Sequence, residues 1–356
     1  MTDISIQNAT YSKLDIDSLL SPWGGMAVFI QPGDKVLLKP NLLSGRKPEK
    51  AVTTHPEVVR AVARAVKRVG GVPYIGDSPS NRFSKGVLRK AYQGSGLQAV
   101  ADEEGVALNW DTGSQRQVLP DAVALKQTSF CNFALEADKI IALPKLKTHS
   151  LQYLTLACKI MYGAIPGLTK ARYHAQFPRR HRFADMLLDV TLFLKPTLYI
   201  LDGIVGMQGQ GPGSGDPLEL GWLVAATDPL AMDLAVCRLI DVEPVAIPVL
   251  KRAKVRKLWP AEMRFPLLDP EKIACTGFRL PTTSDHLLTG KKSPPKKPQV
   301  SSACVACGEC VAICPKDAIT MVNGRAWVKD AKCIRCYCCH EVCPERAIDL
   351  VPIQSK

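Results

Sequence analysis

Aromatic side chains make up only 6% of the 356 residues. No nucleic-acid-binding motif accompanies the formal net charge of +13, so a nucleic-acid partner is not expected. No apolar run approaches the ~20 residues that a membrane span needs. Residues Met1 to Asn8 lack a basic stretch followed by an apolar one, and no secretory leader is expected. A phosphate-binding Gly-Lys-Ser/Thr and a dinucleotide fingerprint are both missing, and no flavin or nicotinamide motif is evident.

Cysteine, in contrast, is abundant: thirteen are present. Cys304, Cys307, Cys310 and Cys314 precede Pro315, and Cys333, Cys336, Cys339 and Cys343 precede Pro344. Each set has the C-x2-C-x2-C-x3-C-P spacing of a bacterial [4Fe–4S] ferredoxin. Three close thiolates can wrap one face of a cubane, and the fourth leads to the other cluster. Two [4Fe–4S] clusters are therefore expected. One is on Cys304, Cys307, Cys310 and Cys343, the other on Cys333, Cys336, Cys339 and Cys314. The stretch Cys314 to Val322 repeats as Cys343 to Val351, and Asn323-Gly324 between apolar runs is a hairpin signal. Each half then reads as a Cys loop, a helical turn and a strand. Structural zinc usually takes two separated pairs of ligands, and close Cys triplets are poor disulfide geometry. Eight thiolates held for clusters imply a reducing compartment, and the reading is of a cytoplasmic protein. Cys338 sits between two ligands and reads as a small packed side chain. Cys131, Cys158, Cys237 and Cys275 read as core.

At roughly 150 residues per domain, the length allows two. Residues 301–356 form the expected ferredoxin-like domain, 286–300 a Pro- and Lys-rich linker, and 1–285 an α/β domain. From Ser301 onward there are seven Lys/Arg and six Asp/Glu, so a surplus of twelve positive charges belongs to the larger part. Such a surplus suits an anionic substrate or an acidic redox partner.

Lys35 to Lys39 is a short apolar run stopped by Pro40, a buried-strand signal. Thr54 can cap a helix whose first turn holds Pro56, and His55 reads either as a cap or as a ligand contact; Val58 to Val69 has helical spacing closed by Gly70-Gly71. A second strand, Val72 to Gly76, completes a βαβ unit with parallel strands. Val118 to Phe133 suits an antiparallel pair. Strands are also expected at 137–144, 197–201 and 222–227. Leu151 to Met161 reads as a buried helix, Lys170 to Arg182 as a basic loop, and Arg182 to Leu194 and the segment from Pro229 as helices. The fold expected is a mostly parallel, doubly wound sheet followed by a small α+β two-cluster domain. Ligands bind at the C-terminal ends of strands in such sheets. There stand Lys39 and Asn41, Asp77 and Ser78, then Lys145, Lys147 and His149. Lys159 interrupts an apolar stretch and needs a partner. Six Gly between Gly203 and Gly215 suit either a flexible loop or an anion-binding nest.

In order, Val36 to Leu42, Thr54-His55-Pro56, Gly76-Asp77-Ser78, Pro144 to His149, Gly163, Asp202-Gly203, the Gly-Gln-Gly-Pro stretch and Asp228-Pro229 resemble the domain-of-unknown-function 362 family. Its members often carry a C-terminal two-cluster ferredoxin module. The family pattern has Asn after the Lys matching Lys159, where this chain has Ile160, and an acidic residue where it has Gln208. The function expected is passage of electrons through the clusters to a small carboxylate or phosphate. His55, His149, Lys145 and Lys147 are the catalytic candidates. Lys39, Asn41, Asp77, Ser78, Lys159, Gly209 and Gly211 are the substrate-binding ones. A redox partner protein (ferredoxin, flavodoxin, or a reductase or oxidase enzyme) is implied. The alternative is a non-catalytic electron carrier that docks an acidic partner through Lys170 to Arg182 and Lys251 to Lys257.

Overall fold

A computed structural model describes residues 1–80, 82–284 and 296–353. Alternating apolar side chains build a ten-stranded sheet whose core is parallel. Lys35–Pro40 lies between Val72–Ile75 and Lys139–Leu143, parallel to both, and Leu198–Gln208 follows parallel to Lys139–Leu143. Asp216–Ala226 runs antiparallel beside it and beside the N-terminal strand Thr2–Asn8.

Both sheet faces are buried, as central parallel strands require. Val36, Leu38, Ile141, Leu143 and Ile200 point into one apolar cluster with the helix Pro56–Arg68. Leu37, Ile140, Ala142, Tyr199 and Leu201 point into the other, against the helices Arg180–Leu194 and Pro229–Leu239. The expected doubly wound α/β sheet is thus the observed one. The segments Ser114–Val118 and Gln127–Cys131 form the expected antiparallel pair.

Local readings differ in four places. Of the two cap candidates, His55 and not Thr54 caps the helix Pro56–Arg68, with Nδ1 accepting from the Glu57 N–H at 3.2 Å. The Thr54 hydroxyl instead donates to the Leu143 carbonyl at 2.6 Å. The expected helix Leu151 to Met161 is a short strand, Tyr153–Thr155, and one turn, Ala157–Ile160. Half of the expected basic loop is the helix Thr169–Gln176, with Lys170 buried. Much of the Gly-rich stretch is strand, since Leu198–Gln208 pairs with Asp216–Ala226.

In the C-terminal module, Ile319–Val322 and Arg325–Val328 pair through Asn323 and Gly324. Both turn residues have positive φ, 48° and 70°, which Asn-Gly tolerates. Each half has its short helix, Glu309–Ile313 and Cys338–Val342. Lys296–Val300, within the stretch read as linker, pairs antiparallel with Ile348–Pro352; the linker's earlier residues lie outside those described. Among the described residues no helix is long and apolar enough to cross a membrane.

The module packs on the α/β lobe. Arg46 donates to the Pro344 and Cys343 carbonyls, both at 2.8 Å, and Arg346 to the Gly215 carbonyl at 3.0 Å. Ile313 and Cys338 bury against Ala171. A Cβ on Gly213 would lie 2.5 Å from the Glu341 carbonyl oxygen, so only glycine permits this approach. Leu38→Ala, in the central strand, is expected to cost about 2–5 kcal/mol. It should read as a lower urea midpoint with an unchanged slope.

Candidate functional site

A cavity of about 70 Å³ lies at the seam between the lobe and the module. Its floor is the C-terminal ends of the parallel strands, which bring Lys39, Asn41, Asp77 and Ser78 together with Lys147, His149 and Lys159. The module supplies Ile313, Cys338, Glu341 and Val342. By the measure that one water needs roughly 10–15 Å³, this volume suits a few waters or a small ligand.

Four lysines and two carboxylates line the cavity. Lys39 Nζ lies 2.9 Å from Asp77 Oδ1 and donates to the Pro40 carbonyl at 2.8 Å. A side chain on Gly163 would collide with both members of that pair. Asp77 also accepts from the Leu42 and Ser78 N–H groups. Lys147 Nζ donates to the Val52 carbonyl at 2.6 Å, and burial holds its ammonium well below the usual lysine range. Lys170 Nζ donates to the Ser78 carbonyl, the Ser78 hydroxyl and the Ile165 carbonyl, at 2.8, 3.1 and 2.7 Å. Burial brings it down to about 8, against the pull of Cys131 and Asp77.

Lys159 is different. Its ammonium faces the Tyr162 ring, 5.7 Å from the centroid, and among the described residues no carboxylate comes within ion-pair distance of it. Burial lowers it as well, and the Glu341 charge opposes that.

His149 Nδ1 accepts from the Leu151 and Gln152 N–H groups at 3.1 and 3.3 Å. The proton therefore sits on Nε2, which lies 3.2 Å from Glu341 Oε1. Burial, then nearby Lys159, pushes His149 well below the usual imidazole range, so the two groups are not an ion pair. Their geometry is not that of a hydrogen bond, and Glu341 Oε1 is left without a partner. Burial raises the Glu341 carboxyl to about 7. His174 is held neutral, at about 3, by burial and Lys159, and its Nδ1 also lacks a partner.

The remaining candidates lie elsewhere. Lys145 Nζ bonds Asp202 Oδ2 at 2.7 Å and the Tyr11 hydroxyl at 3.0 Å. Its charge is thus taken up by a buried carboxylate. His55 stacks on Tyr11 with ring centroids 3.6 Å apart, and its N–H bonds the same Asp202. Gly209 donates to the Arg279 carbonyl, and Gly211 is tied to Thr148 and Ser150. Of that loop, Pro212 lines the cavity. Ile160 lines it too, whereas Gln208 bonds the Arg279 N–H at 3.1 Å.

The sequence reading did not pick out Lys170, His174 or Glu341 as site residues. The first two stood in a basic segment read as a loop, either solvated or gripping an anion or a partner. The third had a signal: the first cysteine set holds Val311-Ala312-Ile313 where the second holds His340-Glu341-Val342. Two polar residues replace apolar ones at the module's contact face.

The cysteines gather as their spacing predicts. Cys304, Cys307, Cys310 and Cys343 line one cavity of about 20 Å³. Cys314, Cys333, Cys336 and Cys339 line another of about 20 Å³. Among the described residues no three ligating side chains converge as a single metal ion would require. Each set instead rings its hollow with four thiols, the donor chemistry that an iron–sulfur cubane takes. Cys314 Sγ accepts from the Ala318 N–H and Cys343 Sγ from the Ala347 N–H, both at 3.2 Å. Such bonds stabilise thiolate ligands. Burial and the sulfurs of Cys336, Cys333, Cys310 and Cys314 push the Cys339 thiol well above its usual range. A cationic iron core would relieve that crowding. Cys338 is buried, as expected.

The pattern of the family described as "domain of unknown function (DUF362)" matches residues 36–238, and that of a 4Fe-4S dicluster domain matches 300–348. The chain belongs to the DUF362 family. This DUF362 protein is 36% identical over 267 residues to the thylakoid-associated protein sll1697 of Synechocystis sp., covering 74% of this chain and 81% of that one. A solved structure of the lactate racemase apoprotein from Thermoanaerobacterium thermosaccharolyticum is similar with a TM-score of 0.40 and 10% identity. That match covers 64% of this chain and 54% of the other. The module of the DUF362 protein is an iron–sulfur, ferredoxin-like domain.

Two outcomes are expected. Asp202→Ala strands the Lys145 ammonium in the interior and should destabilise the fold by roughly 3–5 kcal/mol in urea melts; Asp202→Ala with Lys145→Met should recover part of the loss. For Lys170 the lowered folded value sets the sign: between about 8 and the unfolded value near 10.5 the folded state releases its proton first. Stability contributed by this residue should rise with pH across that window, and the rise should be absent in Lys170→Met.

Proposed function

We propose that this protein is an iron–sulfur oxidoreductase that passes electrons through two [4Fe–4S] clusters to a small carboxylate or phosphate in the seam cavity. Cys304, Cys307, Cys310 and Cys343 would hold one cluster; Cys333, Cys336, Cys339 and Cys314 would hold the other. Bound there, the clusters supply one-electron chemistry tuned by charge and hydrogen bonds around the sulfurs. One observation carries the reading: Cys338 lines both the lysine-rich cavity and the hollow of the second set.

Lys159 is the primary anion contact, because its charge is uncommitted. Lys147 assists, since a single carbonyl leaves two of its donors over. Lys39 and Lys170 are held by Asp77 and Ser78 and shape the wall. His149 presents a fixed Nε2–H that can orient an acceptor on the ligand. A ferredoxin, flavodoxin or reductase would refill the clusters. A second reading, electron transfer to an acidic partner without turnover, draws on exposed Lys251, Lys254 and Lys257 along and beyond the helix Pro248–Val255.

The test is reoxidation of the anaerobically reduced, cluster-loaded protein by a panel of small carboxylates and phosphates. At least one anion is expected to reoxidise it with saturation. Lys159→Ala should raise the half-saturating concentration ~10-fold or more and leave the cluster spectrum unchanged, with a smaller effect for Lys147→Ala. Reoxidation by no anion, with salt-sensitive binding to an acidic carrier protein, would favour the second reading.

A further inference from the structure

We infer that the two cysteine cradles have different jobs. The cradle of Cys314, Cys333, Cys336 and Cys339 is the exit toward the seam cavity. The cradle of Cys304, Cys307, Cys310 and Cys343 is the entrance from solvent. What the exit serves rests on the oxidoreductase reading above; the order of the cradles rests on their walls.

The exit cradle shares Cys338 with the seam cavity, whereas the lining of the entrance cradle shares no side chain with it. Cys338 and Cys339 are 5% and 7% exposed, and Cys338 is pressed against Ala171 of the lobe. The entrance cradle opens to solvent at its Cys307 corner, although Cys310 and Cys343 are as buried as Cys339. Cys307 is exposed, and Val305 and Met321 on its rim are 61% and 40% exposed. The cradles adjoin, because Cys310 and Cys343 of the entrance pack in one apolar cluster with Cys339 of the exit. The lobe touches this cradle too, through the Arg46 guanidinium bonded to the carbonyls of Cys343 and Pro344, but adds no side chain to the lining of its hollow.

The balance is simple. An external one-electron carrier protein loses one electron at the entrance; the exit cluster gains it and is reoxidised by the acceptor in the cavity. No proton moves and no covalent bond changes between the cradles. Cys338 is a positioning residue here, a packed sulfur between cluster and acceptor and not a ligand of either.

The experiment uses the full chain, loaded with both clusters under anaerobic conditions. The two electron paramagnetic resonance signals are assigned with Cys307→Ser and Cys336→Ser, each of which alters its own cluster. A soluble dysprosium chelate added to the reduced wild type is expected to relax the Cys307 signal more strongly than the Cys336 signal. Lys159→Gln removes a cation beside Cys338 and is expected to lower the midpoint potential of the Cys336 cluster alone. Equal relaxation, or stronger relaxation of the Cys336 signal, overturns the order. So does a potential shift confined to the Cys307 cluster, or no shift at all. If Lys159→Gln fails to fold, the relaxation measurement on the wild type decides. Neither readout needs a substrate, so a cavity that accepts no anion would remove the oxidoreductase reading and leave the order standing.

Discussion

The five-residue helix Cys338–Val342 has to face two ways at once. On one side Cys339 contributes to a cysteine cradle, and on the other Cys338, Glu341 and Val342 close the seam cavity. The close approach at Gly213, the Arg46 bonds and the packing of Ile313 and Cys338 on Ala171 all serve to seat this helix. If the module were displaced, the cavity would lose one wall. Lys147 and Lys159 would also lose a carboxylate that favours their charged forms. Seam cavity and ferredoxin-like module are therefore one construction.

Burying four lysines in one small cavity is unfavourable, since each desolvated ammonium costs several kcal/mol before compensation. The chain offsets that mainly with neutral oxygens. Lys170 has three such acceptors and Lys147 one, while Lys39 combines a carbonyl with the only full carboxylate pairing of the set. Carbonyl acceptors satisfy the donors without cancelling the field. On the proposed reading, that arrangement would favour an anion in a dry site. Lys145, two residues before Lys147 on the same strand, illustrates the other solution. Asp202 neutralises it, and it serves as mortar between Tyr11, His55 and the strand ends.

Much of this was legible in the sequence. The eight cysteines declared both cradles, and Cys314 and Cys343 each line the hollow of the other set, as the spacing implies. Apolar runs such as Lys35 to Lys39 gave the parallel core, and position at strand ends gave Lys39, Asn41, Asp77 and Ser78. The failures have a common cause: pairing partners are set by tertiary contacts that spacing does not encode. Lys145 and Lys147 look alike in a strand, yet only one meets Asp202. Lys170 and His174 stood in a loop that could equally be solvated or grip an anion or partner, because nothing local announces that the module will cover them. The Gly-rich stretch looked like a flexible loop or a nest, but its ends found each other as antiparallel strands. Glu341 was visible only as an asymmetry between two repeated halves.

The most direct test is diffraction at the iron absorption edge from crystals of the anaerobically loaded protein. The account predicts two iron centres, one in each cradle, with the centre held by Cys333, Cys336 and Cys339 separated from the seam cavity by the Cys338 side chain. A single centre, or a module whose Cys338–Val342 helix no longer closes the cavity when the clusters are in place, would contradict it.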